Sequence, residues 1–397
     1  MLRGYLRQDG KKGIRNYALV AYTVECAHHV AREIQYPFRE EGVHVIGFPG
    51  CAPNDYANKM MKALGTHSNT GAVLIISLGC ENLDKEGLHK AVEASGRPVK
   101  TITIQESNGS KASIEQGQAW IKEQVALLQN QETVPMGMDE LVIGTICGGS
   151  DAASGITANP VIGRVFDSVL EKGSTCIFEE TGELIGCEHI MAERAATPEL
   201  AKLLVKSVDK AKMYYQNMGL GSFSDGNSKG GLSTIEEKSM GAYSKSGNSK
   251  IDGIIKPAIQ PEQSGLYLLD VVPDGDVPTF GWPNPNDNSE IIELIACGSH
   301  MVLFSTGRGS VVGSAVAPVI KICANPQTYR NLSEDMDINA GKILDEGVSL
   351  DAVAKELEEC VVAVANGNPS KSEALLHQEF QLGYKQFNQL EPGCLPG

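Results

Sequence analysis

Ala72 to Leu78 reads AVLIISL, an almost unbroken apolar run set between Gly71 and the pair Gly79-Cys80. A run this short and this apolar fits a strand buried on both faces of a parallel sheet. Working outward from it, Tyr17 to Val24, Val43 to Phe48 and Val99 to Ile104 read as strands. Ala27 to Glu40, a segment ending at Leu64, one ending near Ala94, and one from about Lys111 to Asn130 read as helices. The resulting β-α-β-α-β-α-β-α alternation predicts a doubly wound Rossmann-like or flavodoxin-like domain. Right-handed crossovers put its loops at 25–26, 49–55, 79–82 and 105–110 along one edge of the sheet.

Gln131 to Asp139 (QETVPMGMD) reads as a linker, punctuated by Pro and Gly. The fold class expected is therefore α/β: an N-terminal parallel-sheet domain over residues 1–133, then a larger α/β domain over 134–397. In the second region a strand at 141–146 is followed by a helix at 161–172, a strand at 174–179 and helices near 188–196 and 198–218. A Gly/Ser/Asn-rich passage covers Gly219 to Gly231. Gly265 to Val272, Ile291 to Ala296, Met301 to Phe304 and Pro318 to Cys323 are read as further strands, and 350–364 and 370–388 as closing helices. Pro273 to Ser289 is too rich in turn formers for regular structure, and loops of that length are often functional. No internal repeat is found.

At 397 residues the chain exceeds one compact core. A net charge of −15 argues against nucleic acid or an anionic membrane as the main partner. No apolar run approaches the roughly 18 residues needed to span a bilayer, and the basic, Gly-rich start lacks the apolar core of a secretory peptide. A cytoplasmic protein is expected, with a homo-oligomer as the prior for such enzymes. The ten cysteines contain no C-x-x-C pair, so a zinc ribbon or finger is not indicated. Cys51, Cys80, Cys147 and Cys297 each lie beside a glycine where an apolar run meets a loop, as packing residues or as members of a metal or cluster site.

Cys147 to Pro160 (CGGSDAASGITANP) is the densest polar loop after an apolar strand. It suits a polyhydroxylated or anionic ligand at the carboxyl end of the strand; an ordinary strand-to-helix connection is the alternative. Ser150, Ser154, Thr157 and Asn159 are candidates to read hydroxyls, and Asp151 to hold a cation or act in catalysis. In FEETGELIGCEHIMAER (Phe178 to Arg194), carboxylates and a histidine follow a strand, raw material for a divalent cation or an acid–base pair. Lys229, Lys238 and Lys245 lie in the flexible Gly226 to Asn248 segment, where burial makes a lysine a base. The basic segment Gly4 to Asn16 could clamp a carboxylate. Gly307-Arg308-Gly309 after a strand suggests an anion nest with a bidentate arginine, although no nucleotide fingerprint is present.

Taken in order, GYLRQDGKKGIRN at the start, LGCEN at 78–82, GGSDAASGITANPVIG at 148–163, EETGELIGCEHIMAERA at 179–195, GNSKGGLSTIEEKSMGAYSKSG at 226–247 and STGRGSVVGSAVAPVIKICANP at 305–326 resemble the altronate and galactarate dehydratase family. That family also includes the large subunit of sulfolactate sulfo-lyase. The resemblance implies a hydro-lyase, or a carbon–sulfur lyase, acting by β-elimination on a small hydroxy acid. It also implies activation by a divalent metal, typically iron(II), with manganese(II) or magnesium as alternatives, and an active site carried mostly by the second domain. Members usually carry a further small domain, about a hundred residues in size, so a separate small subunit is a possible partner. With that chemistry in view, the expected metal ligands are Asp151, Glu179, Glu183, Glu188 and His189. Lys229 and Lys238 are the candidate bases. Arg15, Asn16, Gly307, Arg308 and Gly309 are expected to hold substrate carboxylate.

Overall fold

The computed structural model describes residues 2–52, 55–217, 228–274, 286–383 and 385. Strands β1 (Leu2–Leu6) and β2 (Lys12–Gly13) form an antiparallel hairpin. Next come β3 (Tyr17–Tyr22), β4 (Val43–Gly47), β5 (Thr70–Ser77) and β6 (Val99–Thr103), separated by helices Glu25–Gln35, Asp55–Gly65 and Lys85–Ala94. They make a four-stranded sheet, order β4-β3-β5-β6, parallel throughout. Helix Ser110–Gln129 then leads to β7 (Val134–Met136), which lies inside the stretch read as a linker and pairs with β1.

The second region holds β8 (Val142–Cys147), β9 (Thr175–Phe178), β10 (Ile251–Ile255), β11 (Gly265–Leu269), β12 (Met301–Thr306), β13 (Val319–Cys323) and β14 (Ile338–Asn339). These form a seven-stranded sheet, order β10-β11-β9-β8-β12-β13-β14, again wholly parallel. Both parts of the expected α/β class are therefore present.

Alternation along the strands explains how the two sheets are joined. In β3, Ala18 and Val20 enter a core on one face of the small sheet, while Leu19 and Ala21 enter another on the opposite face. That second core also contains Ile146, Phe304 and Val319 of the large sheet and Ile291, Ile292 and Ile295 of helix Asp287–Ala296. One continuous apolar layer thus fills the space between the two sheets, as strands buried on both faces require.

Two expectations need correction. Ile291 to Ala296 is not a strand but the last part of helix Asp287–Ala296, whose first turn is capped by the Asn286 side chain accepting from Ser289 N at 3.0 Å. A short apolar run buried on all sides has no period to separate the two states. The helix read over 370–388 is a single turn, Lys371–Ala374, opened by a Ser370/Glu373 capping box. The chain then runs without helix to residue 383. Residues 219–227 of the Gly-rich passage and 275–285 of the turn-rich one lie outside the described residues.

The ends of the chain meet at Arg15. Its buried guanidinium forms a forked ion pair with Glu373 at 2.6 and 2.9 Å and also donates to the carbonyls of Ile14, Val364 and Asn368. Tyr17 adds its hydroxyl to the same carboxylate at 2.5 Å. Glu373→Gln leaves the guanidinium buried without its counter-charge and should cost about 3–5 kcal/mol in chemical denaturation. The double replacement Arg15→Met/Glu373→Met should cost less than that single change.

Burial pushes His44 and His300 down from 6.5 to about 4. The unfolded chain takes up these protons first as pH falls, so stability should be full above pH 6.5 and decline toward pH 4. The loss should be on the order of 3 kcal/mol per histidine, and urea titrations of wild type against His300→Asn across that window measure it.

Candidate active site

The connectivity of the large sheet reverses between β8 and β12: from β8 the chain builds outward through β9, then returns to lay down β12, β13 and β14 on the other side. The crevice at the carboxyl ends of strands flanking such a reversal is where α/β sheets hold ligands. Cys147 is the last residue of β8, and Glu179 and Glu180 follow directly on the neighbouring β9.

Glu180 takes a left-handed backbone conformation, φ 84° and ψ 51°. A side chain there costs roughly 1–3 kcal/mol and persists where surroundings over-determine it. The turn folds the chain into the short 3₁₀ segment Thr181–Leu184 and sends two carboxylates back toward β8. Cys147 Sγ, a carboxylate oxygen of Glu180 and one of Glu183 consequently lie within 4.8 Å of one another. Cys147 N donates to Glu180 at 3.1 Å, and its sulfur lies 3.3 Å from both Glu180 oxygens and 3.5 Å from Glu183.

Two buried lysines close this cluster. Lys238, on helix Ile235–Tyr243, reaches the sulfur at 3.2 Å and pairs with Glu183. Lys245, seven residues later in the 3₁₀ segment Ser244–Ser246, reaches it at 3.1 Å and pairs with Glu180. Burial opposes the charge of Lys238, but Cys147 and Glu183 more than offset it and hold the ammonium well above the usual lysine range. A cleft of about 340 Å³ opens onto Lys238 between this helix and the 150–159 loop, lined also by Ser150, Asp151, Ser154, Asn159 and Glu237.

A second layer of carboxylates lies beneath. Glu179 is fully buried, and neither of its oxygens has a hydrogen-bond partner among the described residues. Burial, and then the neighbouring Glu293, push its carboxyl well above the usual range. Burial does the same to Glu290, with Glu179 the next contributor. Asp287 is raised to about 6 by burial and by Glu183. Glu293 is partnered by Lys385 at 2.6 Å and by the Tyr56 hydroxyl at 2.7 Å.

The donor set fits a divalent cation. One sulfur and two carboxylates converge, with an orphaned buried carboxylate next along the chain.

Of the residues named from the sequence, Glu183 and Lys238 come together here, and Glu179 lies directly behind them. Asp151 stands apart from the donor cluster. One oxygen accepts from Ala153 N and Ser154 N at 3.0 and 3.1 Å, and the other from Asn325 at 2.9 Å. Ser150 reaches Cys147 Sγ at 3.5 Å. Ser154 bonds Asp151, Thr157 donates to the Ala153 and Ala324 carbonyls, and Asn159 joins Gly241 O to the Ser305 hydroxyl, so these three brace the loop.

The Gly307 and Arg308 amides both donate to Gly149 O, and the Gly309 amide to the Thr306 hydroxyl, which uses up the anticipated nest. Arg308 is exposed. Glu188 accepts from Gly186 N, while His189 and Lys229 are exposed. Arg15 lies in the buried pair with Glu373, and Asn16 bonds Leu128 O and Gln131. Cys147, Glu180 and Lys245 are the members that sequence reasoning had not assigned to the site. Their signals were the strand-end position of Cys147 beside Gly148 and the placing of the other two in segments already marked as chemical.

Comparison with known proteins shows the family. Residues 4–129 match the family model described as D-galactarate dehydratase/altronate hydrolase, second domain, and residues 138–387 match that of D-galactarate/altronate dehydratase, C-terminal. The chain is 30% identical to the (2R)-sulfolactate sulfo-lyase subunit beta of Chromohalobacter salexigens, over 96% of each chain. It is 31% identical to the altronate dehydratase of Bacillus subtilis, over 92% of this chain and 74% of that one. It is 30% identical to the galactarate dehydratase (L-threo-forming) of Escherichia coli, over 75% of this chain and 56% of that one. The two family models between them span both sheets and every residue of the Cys147 cluster, so the chain belongs to the galactarate/altronate dehydratase family.

Proposed function

We propose that this chain is a lyase that dehydrates a sugar acid to a 2-keto-3-deoxy acid by β-elimination. The observation that carries the reading is the convergence of Cys147, Glu180 and Glu183 with two buried lysines at the reversal of the large sheet. Cys147, Glu180 and Glu183 would hold a divalent cation, iron(II) before manganese(II) or magnesium, which supplies Lewis-acid stabilisation of charge developing on a hydroxycarboxylate.

The chain's own part is to place and move protons. Lys238 Nζ, at the junction of cleft and cluster, is the carrier: once Cys147 and Glu183 turn to a cation and no longer hold its charge, burial would favour the free amine, which takes the proton from C2. The C2–H electrons then form the C2–C3 double bond as the C3 hydroxyl leaves as water, carrying off the proton that Lys238 has just gained. The resulting enol becomes the 2-oxo acid by proton transfer to C3. Lys245 holds Glu180 in place, and the braced 150–159 loop forms the opposite wall. The likeness to the sulfo-lyase subunit along almost its whole length favours a second reading, in which sulfite leaves in place of hydroxide. The small hydroxy acid is then sulfonated, and a separate small subunit becomes a partner.

Iron(II)-loaded protein screened on hexonates, hexarates and sulfolactate should give a 2-oxo acid with at least one, sulfite release marking the second reading. No turnover of any sugar acid sinks the first reading, and no sulfite from sulfolactate with the separate small subunit supplied sinks the second. Chelation should abolish activity and added iron(II) restore it. Glu180→Gln should lower bound metal and turnover together. Lys238→Met should lower kcat by about 10²–10⁴-fold with metal content unchanged; near-normal kcat would remove Lys238 from the reaction.

A further inference from the structure

Cysteine is among the residue types most often buried. Among the described residues, Cys26, Cys51 and Cys80 are nevertheless exposed, whereas Cys147, Cys176, Cys187, Cys297 and Cys323 are buried and Cys360 is half-buried. The three exposed thiols share one place in the fold. Cys26 lies in the first turn after β3, Cys51 follows β4 and Cys80 follows β5, and β4, β3 and β5 are consecutive neighbours in the small sheet. Parallel strands stand about 4.8 Å apart, so three adjacent strand ends each deliver one thiol to the same edge.

Backbone bonds tie these loops together. Glu25 N donates to Pro49 O at 3.1 Å, and Asn82 N donates to Cys51 O at 3.0 Å. The loop bearing Cys51 is thereby fastened to both others. Glu81, beside Cys80, anchors the edge from within, accepting from Thr23, from Ser77 at 2.6 Å and from Gly79 N at 2.8 Å. The edge also lies at the reversal of this sheet, because the chain runs from β3 to β4 on one side and returns to β5 on the other.

The spacing of the sulfurs chooses between ligands. A tetrahedral ion bound at about 2.3 Å draws its sulfurs to about 3.8 Å from one another. Among the described residues only Cys147, Glu180 and Glu183 gather three such donors within 4.8 Å, so the three exposed thiols are spread more widely than one ion requires. Three exposed cysteines at the ends of adjacent strands can be joined by a cubane, which reaches further than a single ion. We propose that Cys26, Cys51 and Cys80 bind a [4Fe–4S] cluster through three thiolates. The fourth iron faces the crevice without a cysteine and takes a small oxygen ligand. This site is separate from the Cys147 cluster and does not depend on the reaction proposed there.

The test is anaerobic purification of the full chain, reconstituted with ferrous iron and sulfide where needed. Expected are acid-labile sulfide in equal proportion to the bound cluster iron, broad visible absorbance, and a paramagnetic signal after reduction. Each of Cys26→Ser, Cys51→Ser and Cys80→Ser should lose the sulfide and the colour, while Cys360→Ser keeps both. In wild type, reconstitution should protect these three thiols from alkylation as mapped by mass spectrometry, a readout that needs no variant. Iron bound without sulfide, zinc alone, colour surviving in the triple serine variant, or equal alkylation with and without reconstitution each overturns the proposal. Iron at Cys147, Glu180 and Glu183 carries no sulfide and persists in the serine variants, so failure at one site is distinguishable from failure at the other.

Discussion

Charge taken out of water at the carboxyl edge of the large sheet constrains everything around it. Glu180 and Glu183 leave solvent only because Lys245 and Lys238 arrive with them, and Glu293 only because Lys385 does. Isolated carboxylates at such depth cost several kcal/mol each, and the pairs have to be made by segments far apart in sequence. Lysine suits the task better than arginine: its compact ammonium gives up a proton when burial outweighs its counter-charge, whereas a guanidinium stays charged. Among the described residues neither Glu179 nor Glu290 forms an ion pair, and burial pushes both carboxyls well above the usual range. The edge is thus balanced in charge yet poised to exchange protons, and a cation taking the three donors has to displace them.

Holding that balance explains the composition of the 147–160 loop. Its polar side chains face inward onto the protein. A side chain at Gly148 would run into Asp287 and Phe304, and one at Gly307 into the Asp151 carboxylate. Asp151 is the strut between these glycines, with hydrogen bonds from Ala153 N, Ser154 and Asn325 filling its oxygens. The Gly307 and Arg308 amides serve the same joint by bonding Gly149 O. Much of the hydrogen bonding that makes the loop look like a ligand reader is spent keeping two strand ends in register, which leaves Ser150 and the cleft face of Lys238 turned toward the open side.

The sheets were legible because both-face burial writes apolar runs such as AVLIISL that few other structures tolerate. Ile291 to Ala296 shows where that signal fails: a helix packed on every side produces the same run, and the deciding residue was the Asn286 cap. At the site, Glu183 and Lys238 stood out as reactive types in a suitable place. Cys147 and Lys245 were noticed without being joined to them, and Glu180 was passed over, because convergence depends on directions rather than spacings. The left-handed turn at Glu180 is the clearest case. Nothing in its local sequence asks for positive φ, and the conformation is imposed by what its carboxylate meets. Asp151 is the opposite case: an Asp two residues after a Gly pair is as good a turn brace as a ligand, and here its oxygens accept from Ala153, Ser154 and Asn325.

The small sheet is more than a spacer beside this edge. Helix Asp55–Gly65 packs against helix Asp287–Ala296 through the shared apolar layer, and Tyr56 reaches across it to the Glu293 carboxylate at 2.7 Å. Burial and the adjoining Glu293 raise the Tyr56 hydroxyl far above its ordinary range, so it serves there as a fixed donor. Glu293 in turn carries Lys385 and lies close enough to Glu179 to hold its proton on. The N-terminal domain therefore supplies one donor to the polar layer directly under the Cys147 cluster. Moving the two sheets relative to one another would strip that donor from a buried carboxylate, a penalty of about 1–3 kcal/mol that adds to the hold of the apolar layer.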